Sequence, residues 1–287
     1  MPAIGDKIVR NDYNTQQTTI SDLYTEMGVS ALLVSGAVSV GTKIQISQLS
    51  NLRTDIAKLK LKVSNSAPSG TLASAGGKIT ADYWNSQATD VSTVNSSKRT
   101  ISDSQADTST NTRTTGYFNS TYTTQYRFNF GLSDARKYFF NQGGQLVLNM
   151  GTAEQNQSPY AGTTKATAYQ SLANSMGTMR VNLAGGPTTW SISSTTLTDQ
   201  AEVSAGGNIV VFTTSGNYPS NTATVSYSID REFVYLSIAF NDVSGANPNV
   251  DEQIRFTGQT YGFRAVKTAV WSATTDYTYR PTASVTL

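Results

Sequence analysis

Residues 222–240 decide the fold class, and they read TATVSYSIDREFVYLSIAF. Two segments rich in β-branched and aromatic residues, Thr222–Ile229 and Phe233–Phe240, predict the two longest strands of the chain. The residues between them, from Ile229 to Glu232, are suited to a tight turn. This stretch therefore predicts a β-hairpin at the centre of a β-rich domain.

Shorter strands are predicted on both sides of this pair, with Gly, Asn and Pro between them. They are Gln145–Met150, Thr178–Leu183, Thr188–Ser193, Asn208–Thr214, Gln253–Gly258, Ala265–Ser272 and Tyr277–Thr286. Helices are predicted at 134–140 and 165–176, and a helix among strands suggests a cover for a sheet face. Residues 117–287 are thus expected to form an antiparallel β-sandwich with one or two covering helices.

The N-terminal part contains a threefold repeat. Gly5, Gly41 and Gly77 each open a phrase that reads as a short extended piece ending in Ile, a polar helix cap and an amphipathic helix. Ser47 and Thr80 are the predicted caps of the second and third helices, because their hydroxyls can accept the free N–H groups of a first turn. Residues 1–95 are therefore expected to be a strand–helix repeat region that serves in attachment, and the whole chain to be α+β and mainly β.

The second helix has the clearest apolar stripe. Its members alternate at spacings of three and four residues: Leu49, Leu52, Ile56, Leu59 and Val63. One interpretation is an intramolecular three-helix bundle. The other is that the stripe meets copies of itself around a symmetry axis, with Tyr83 and Trp84 of the third helix adding to the oligomer or attachment interface.

Between the two regions, residues 96–116 consist mostly of Ser, Thr, Asp, Asn and Gln, with little to bury. This composition predicts a flexible polar linker and a domain boundary. An extended arm that a neighbouring subunit orders is the alternative interpretation.

Composition excludes several classes of function. The formal net charge is only +2, and no run of about 18 apolar residues exists, so neither nucleic acid nor a membrane is an expected partner. The chain contains no His and no Cys, which removes the commonest general base, the commonest metal ligand and every thiolate. The sequence therefore predicts a protein that is not an enzyme.

Few residues suggest ligand chemistry. The carboxylate pairs Asp230/Glu232 and Asp251/Glu252 are interpreted as turn and surface residues. The first pair lies at the predicted turn, and adjacent residues such as the second pair point to opposite faces of a strand, which does not suit two carboxyls that must face one cleft. The loop 241–252 is rich in oxygen ligands and is either a self-bonded loop or the site of a structural calcium; no other cofactor is expected. Trp190 and Trp271 are candidate glycan contacts, with core or interface positions as the alternative.

Two phrases carry a family resemblance. Ile79–Asn85, which reads ITADYWN, is similar to a helix start that recurs in structural proteins of marine cyanophages and related tailed phages, and Leu52–Asp55 (LRTD) resembles the helix that follows. Asp134–Leu146 is similar to a second phrase of those proteins, in which Ala-Arg is followed by Phe-Phe-Asn and then by Gly-Gly. The resemblance covers roughly residues 1–100 and this later stretch.

The resemblance implies that the chain is a virion protein and that it is assembled in the host cytoplasm. We expect a non-enzymatic structural component that forms homo-oligomers and docks onto other virion proteins, as an accessory of the tail, neck or fibre. A capsid decoration protein and a host-recognition module that binds a surface glycan are the alternatives.

Overall fold

The computed structural model of the protein describes residues 8–72, 79–155, 165–183, 189–191, 208–213, 218, 220–230, 232–243, 253–270 and 279–286. Within these ranges the chain is α+β and mainly β, which confirms the predicted fold class. The α-helices are α1 (Arg10–Glu26), α2 (Ile46–Ser64), α3 (Ala81–Ser97), α4 (Ser133–Asn141) and α5 (Lys165–Met176). The strands are β1 (Ala106–Arg113), β2 (Thr121–Asn129), β3 (Gln145–Asn149), β4 (Thr152–Gln155), β5 (Thr178–Asn182), β6 (Thr189–Ser191), β7 (Asn208–Thr213), β8 (Thr222–Asp230), β9 (Phe233–Asn241), β10 (Ile254–Thr257), β11 (Gln259–Val266) and β12 (Thr282–Thr286).

The chain divides into two compact units, and neither is a single contiguous segment. Unit 1 takes residues 1–107, 138–143 and 265–278, whereas unit 2 takes 108–137, 144–264 and 279–287. The chain therefore passes between the units five times. The first passage, after Asp107, falls inside the segment predicted to be a linker.

Unit 2 holds most of two five-stranded sheets. One sheet has the order β1-β11-β3-β5-β6 and the other β12-β2-β9-β8-β7, with a separate β10-β4 pair. Among the described residues, seven strand pairs are antiparallel, while β5 and β6 run parallel. Side chains bridge the two large sheets, as where the Tyr126 hydroxyl donates to Gln259 Oε1 at 2.5 Å. The arrangement fits the predicted sandwich.

The hairpin predicted at residues 222–240 is present as β8 and β9. Asp230 pairs with Phe233, so a two-residue connection joins the strands. Along β9 every second side chain is buried, as the two-residue period of a strand requires when one face lies on the core. At one end of this core, aromatic rings of Phe118, Tyr169, Phe240 and Phe256 contact one another, with Phe240 and Phe256 centroids 4.6 Å apart.

Unit 1 is built on α1, α2 and α3, which bury their apolar stripes in one shared core. The core includes the second-helix stripe together with side chains from the other helices: Tyr13, Ile20, Leu23, Tyr24, Trp84, Val91 and Val94. Val266, from the end of β11, completes it. The intramolecular bundle, one of the two interpretations left open by the sequence, is therefore what the structure has.

Two buried carboxylates hold the loops that connect these helices. Asp55, which has no exposed surface, accepts the N–H groups of Val34 and Ser35 at 3.1 and 2.8 Å. Asp90 accepts the Ser69 N–H at 2.6 Å and pairs with Lys60 at 2.7 Å. Because buried polar groups must be hydrogen-bonded, these carboxylates satisfy loop N–H groups that no helix or strand can pair.

The C-terminal end of α1 receives the end of α4. Asn141 donates to the Glu26 carbonyl at 3.1 Å and Gln142 donates to the Met27 carbonyl at 2.6 Å. Gly143 has φ +89°, and a Cβ there would overlap the Arg99 carbonyl. A glycine is thus required at this close approach.

Lys62 lies wholly inside unit 1. Its side chain has no exposed surface, and its ammonium donates to the Lys98 carbonyl. Burial lowers the pKa of the Lys62 ammonium to about 7, although the Glu26 carboxylate opposes this shift. Glu26 itself pairs with Lys98 at 2.5 Å and with Arg99 at 3.3 Å.

Three details of the sequence-based assignment are wrong. The linker of residues 96–116 contains the end of α3 and the whole of β1, which pairs with β11. The strand expected at 265–272 lies earlier, at Gln259–Val266, and is followed by a 3₁₀ turn at Thr268–Val270. The cap of α2 is Gln45 in place of Ser47, because the Gln48 side chain accepts the Gln45 N–H at 2.8 Å.

Two charged residues of α2, Asp55 and Lys62, are buried. No helix in the part of the chain that the structure describes is long and apolar enough to cross a membrane.

Candidate binding groove

A groove of about 410 Å³ lies between α1 and α3 in unit 1. The α1 side contributes Asp12, Thr15, Gln16 and Thr19. The α3 side contributes Trp84, Ala88, Val91, Ser92 and Asn95. Positions three and four residues apart share a helix face, so each wall follows from helical spacing.

Both helices are anchored where the groove begins. The Asp12 carboxylate accepts the Val9 N–H at 3.0 Å, which satisfies one of the free donors at the start of α1. The Thr80 hydroxyl accepts the Tyr83 N–H at 3.2 Å at the start of α3, so the predicted Thr80 cap is confirmed. The walls of the groove therefore rest on helices with well-defined first turns.

Gln16 is the unusual residue of the groove. Its side chain is 7% exposed, and neither the nitrogen nor the oxygen of its amide has a hydrogen-bond partner among the described residues. The next residue, Gln17, is equally buried, but its amide donates to the Ser35 carbonyl at 3.4 Å. Leaving a buried amide unpaired costs stability, so Gln16 is poorly explained as a core residue.

Trp84, Ala88 and Val91 are the apolar residues of the lining. Trp84 is only 3% exposed, and its ring lies 6.4 Å from that of Tyr13. A sugar ring would need an exposed aromatic face for stacking, and Trp84 does not offer one. The groove consequently combines apolar side chains with hydroxyls and amides that can form hydrogen bonds.

The charge of the groove is low. Among the described residues that line it, Asp12 alone is ionisable, and its carboxylate already accepts a hydrogen bond from the Val9 N–H. The remaining polar groups are hydroxyls and amides, which both donate and accept. Because no cation lines the groove, it favours an uncharged ligand over a phosphate or a carboxylate.

The predicted oligomer interface is largely inaccessible. Leu49, Leu52, Ile56, Leu59 and Val63 are all at most 8% exposed within a single chain, as are Tyr83 and Trp84. The stripe is buried against α1 and α3 within a single chain, so a seam between copies at α2 would require this packing to open; that interpretation stays a prediction. Of the seven residues, only Trp84 lines the groove.

The remaining candidate positions contribute less. Trp190 belongs to β6, but its side chain lies outside the described residues, as does the whole of Trp271. Of the loop 241–252, only residues 241–243 are described, and there Asp242 pairs with the buried Lys165 at 3.0 Å. The described residues contain no group of three or more acidic side chains that could hold a metal ion.

Sequence reasoning missed the groove and Gln16. A signal was present, because Tyr13, Gln16, Gln17 and Ile20 follow the spacing of a buried helix face, and two glutamines on such a face are unusual. The spacing alone does not distinguish the partnered Gln17 from the unpartnered Gln16.

Comparisons with protein families, with curated proteins and with solved structures find no match to this chain.

Proposed function

We propose that this chain is a non-enzymatic structural protein of a tailed-phage virion. It acts by self-association and by docking onto other virion proteins, as an accessory of the tail, neck or fibre. The proposal is supported by the positions, in the structure, of the two sequence phrases that resemble those of phage proteins. They are about 50 residues apart in the sequence, yet both contribute to unit 1.

Each phrase supplies residues on which unit 1 depends. Ile79–Asn85 provides the Thr80 cap of α3 and the buried Trp84. The second phrase provides Asn141, Gln142 and Gly143, which pack on the ends of α1 and α3 through two hydrogen bonds and one close backbone approach. A resemblance that falls mainly on residues of unit 1 supports a unit 1 shared with those proteins.

Several buried charged groups of the described residues have structural tasks. Asp55 and Asp90 bind loop N–H groups, and Lys165 pairs with Asp242 in the interior of unit 2. The sequence also contains no His or Cys. These features support a role in assembly over a role in catalysis.

The proposal is tested on purified particles of the phage that encodes the chain. Mass spectrometry should find the protein in multiple copies per particle, and antibody–gold labelling should mark the tail, neck or fibres. Absence from particles that retain their other structural proteins would overturn the proposal. Gold over the capsid shell would replace the tail assignment by capsid decoration.

A further inference from the structure

The groove between α1 and α3 holds a feature that folding alone does not explain, namely the unpartnered amide of Gln16. Its two polar atoms are shielded from water and lack partners among the described residues, which makes the unliganded groove energetically unfavourable at this point. Gln16 lines the groove, but its two amide atoms are covered, so the amide would reach an occupant only after its side chain rotates. An occupant with both a donor and an acceptor would satisfy it.

The shape of the groove selects a linear occupant. The α1 wall runs from Asp12 to Thr19, a length of about 10 Å at the helical rise of about 1.5 Å per residue. About three residues of extended polypeptide, at about 3.3 Å each, match that length. An extended backbone presents C=O and N–H groups in alternation, which is what the hydroxyls and amides of the walls can bind.

The chain itself carries a segment with this chemistry. β1 is an edge strand, and no strand of the described part of the chain pairs with its outer side. Thr110, Asn111 and Thr112 in β1 are consecutive, exposed and uncharged. An unpaired edge exposes backbone donors and acceptors that readily bind another chain.

We infer that the groove of one copy binds the β1 edge at Thr110–Thr112 of a second copy, with the Gln16 amide hydrogen-bonded to the incoming backbone. This inference rests on the proposed role in self-association and identifies the contact that performs it. Because the groove and the edge are different surfaces, the contact is head-to-tail and builds a ring or a filament.

Three variants of the full chain separate this contact from general effects on folding. Gln16→Leu removes the amide from the groove but also removes an unpartnered buried group, so the variant should fold at least as stably as the wild type. Gln17→Leu is the matched control: it has the same chemistry and the same burial, but lies outside the groove lining. Asn111→Glu places a carboxylate on the β1 edge. In the proposed contact this carboxylate would lie near Asp12 of the groove and be repelled by it.

Self-association is measured by sedimentation velocity over a concentration series. Wild type and Gln17→Leu should associate alike, whereas Gln16→Leu and Asn111→Glu should each weaken association by about tenfold or more. A mixture of Gln16→Leu with Asn111→Glu should form one-to-one dimers with wild-type affinity, because one copy supplies an intact edge and the other an intact groove.

Three results would overturn the inference: a wild-type chain that stays monomeric at all concentrations, unchanged association of Gln16→Leu, or no dimer in the mixture. Its failure is distinguishable from failure of the proposed function. A chain that is monomeric but present in purified virions would contradict only the proposed contact. A chain that self-associates but is absent from virions would contradict only the virion role.

Discussion

At the scale of single residues, unit 1 depends on polar groups in positions that normally hold apolar ones. Asp55, Lys62 and Gln16 are all buried, but their consequences differ. Asp55 has several partners, Lys62 lies against one carbonyl, and Gln16 has no partner among the described residues. The free energy of unfolding should respond to each of them differently.

Removing Asp55 should be costly. Asp55→Ala leaves the N–H groups of Val34 and Ser35 without acceptors, and the loss of charge-assisted bonds of this kind costs about 3 kcal/mol. Urea unfolding followed by circular dichroism gives the difference. Asp22→Asn, on the exposed face of α1, is the control and should stay within about 0.5 kcal/mol of wild type. Equal effects of the two changes would contradict the role assigned to Asp55.

Lys62 should make stability depend on pH. Its pKa is about 7 in the folded protein and 10.5 as the ordinary value, so the unfolded chain binds more protons between these limits. Stability from this group therefore rises with pH, by about 2 kcal/mol between pH 7 and pH 9. Below pH 7 both states are protonated, and the burial penalty of the charged form is fully present.

The measurement compares unfolding free energies of wild type and Lys62→Met across pH 7 to 9. The rise should disappear in Lys62→Met and persist in Lys60→Met, which removes a lysine of the same helix that pairs with Asp90. Higher pH is avoided, because burial raises the pKa of Tyr24 and its ionisation on unfolding would add an opposite trend. A rise that survives in Lys62→Met would assign it to another group.

At the scale of elements, α2 is the central helix of unit 1. Ile56 is fully buried, whereas Leu61 on the same helix is 39% exposed. Ile56→Ala should cost roughly 2 to 5 kcal/mol, and Leu61→Ala about 0.5 kcal/mol or less. Thermal and urea unfolding measure both. If Ile56→Ala instead left stability unchanged and abolished self-association, the interpretation of α2 as a seam between copies would be supported.

The pairing of β1 depends on Gly262 in β11. A Cβ at this position would overlap the Ser109 carbonyl of β1. Gly262→Ala should therefore displace β1 and cost about 1 to 3 kcal/mol, with faster amide hydrogen exchange across residues 108–113. Gly116→Ala is the control, since nothing lies within 4 Å of its added Cβ. Unchanged exchange in β1 would contradict this packing.

The elements also show what the sequence can and cannot predict. The β8–β9 hairpin and the α2 stripe were predictable, because neighbours in the sequence determine them. β1 was not, because its residues carry no apolar pattern and the strand pairs with β11, some 150 residues further along the chain. The position of β11 was also hard to predict, because Gly262 lies inside it and a glycine interrupts the residue pattern that is typical of a strand.

At the scale of the whole molecule, the two units are made of interleaved segments. Asn141 and Gln142 cap α1 although more than 100 residues separate them from it. The predicted boundary of residues 1–95, 96–116 and 117–287 therefore does not yield complete units. The candidate groove was not predictable at this scale, because it depends on which faces of α1 and α3 remain uncovered after α2 packs.

A fragment of residues 1–107 should consequently fail to form a stable unit 1. It lacks residues 138–143, which bind the Glu26 and Met27 carbonyls, and Val266, which is buried in its core. Circular dichroism and thermal unfolding of this fragment should show reduced helix content and no cooperative transition. A fragment that melts as sharply as the full chain would show that the later segments are dispensable.

The interleaving of the segments also delays the completion of unit 1 during translation. The helices α1 to α3 are translated first, but Val266 follows the end of α3 by about 170 residues. At about 5 to 20 residues per second, the roughly 170 residues between the end of α3 and Val266 take about 8 to 34 s to translate. During this interval the bundle lacks its last core residue, so chains that are still being translated would be poor substrates for oligomer growth, and polymerisation would begin from finished subunits.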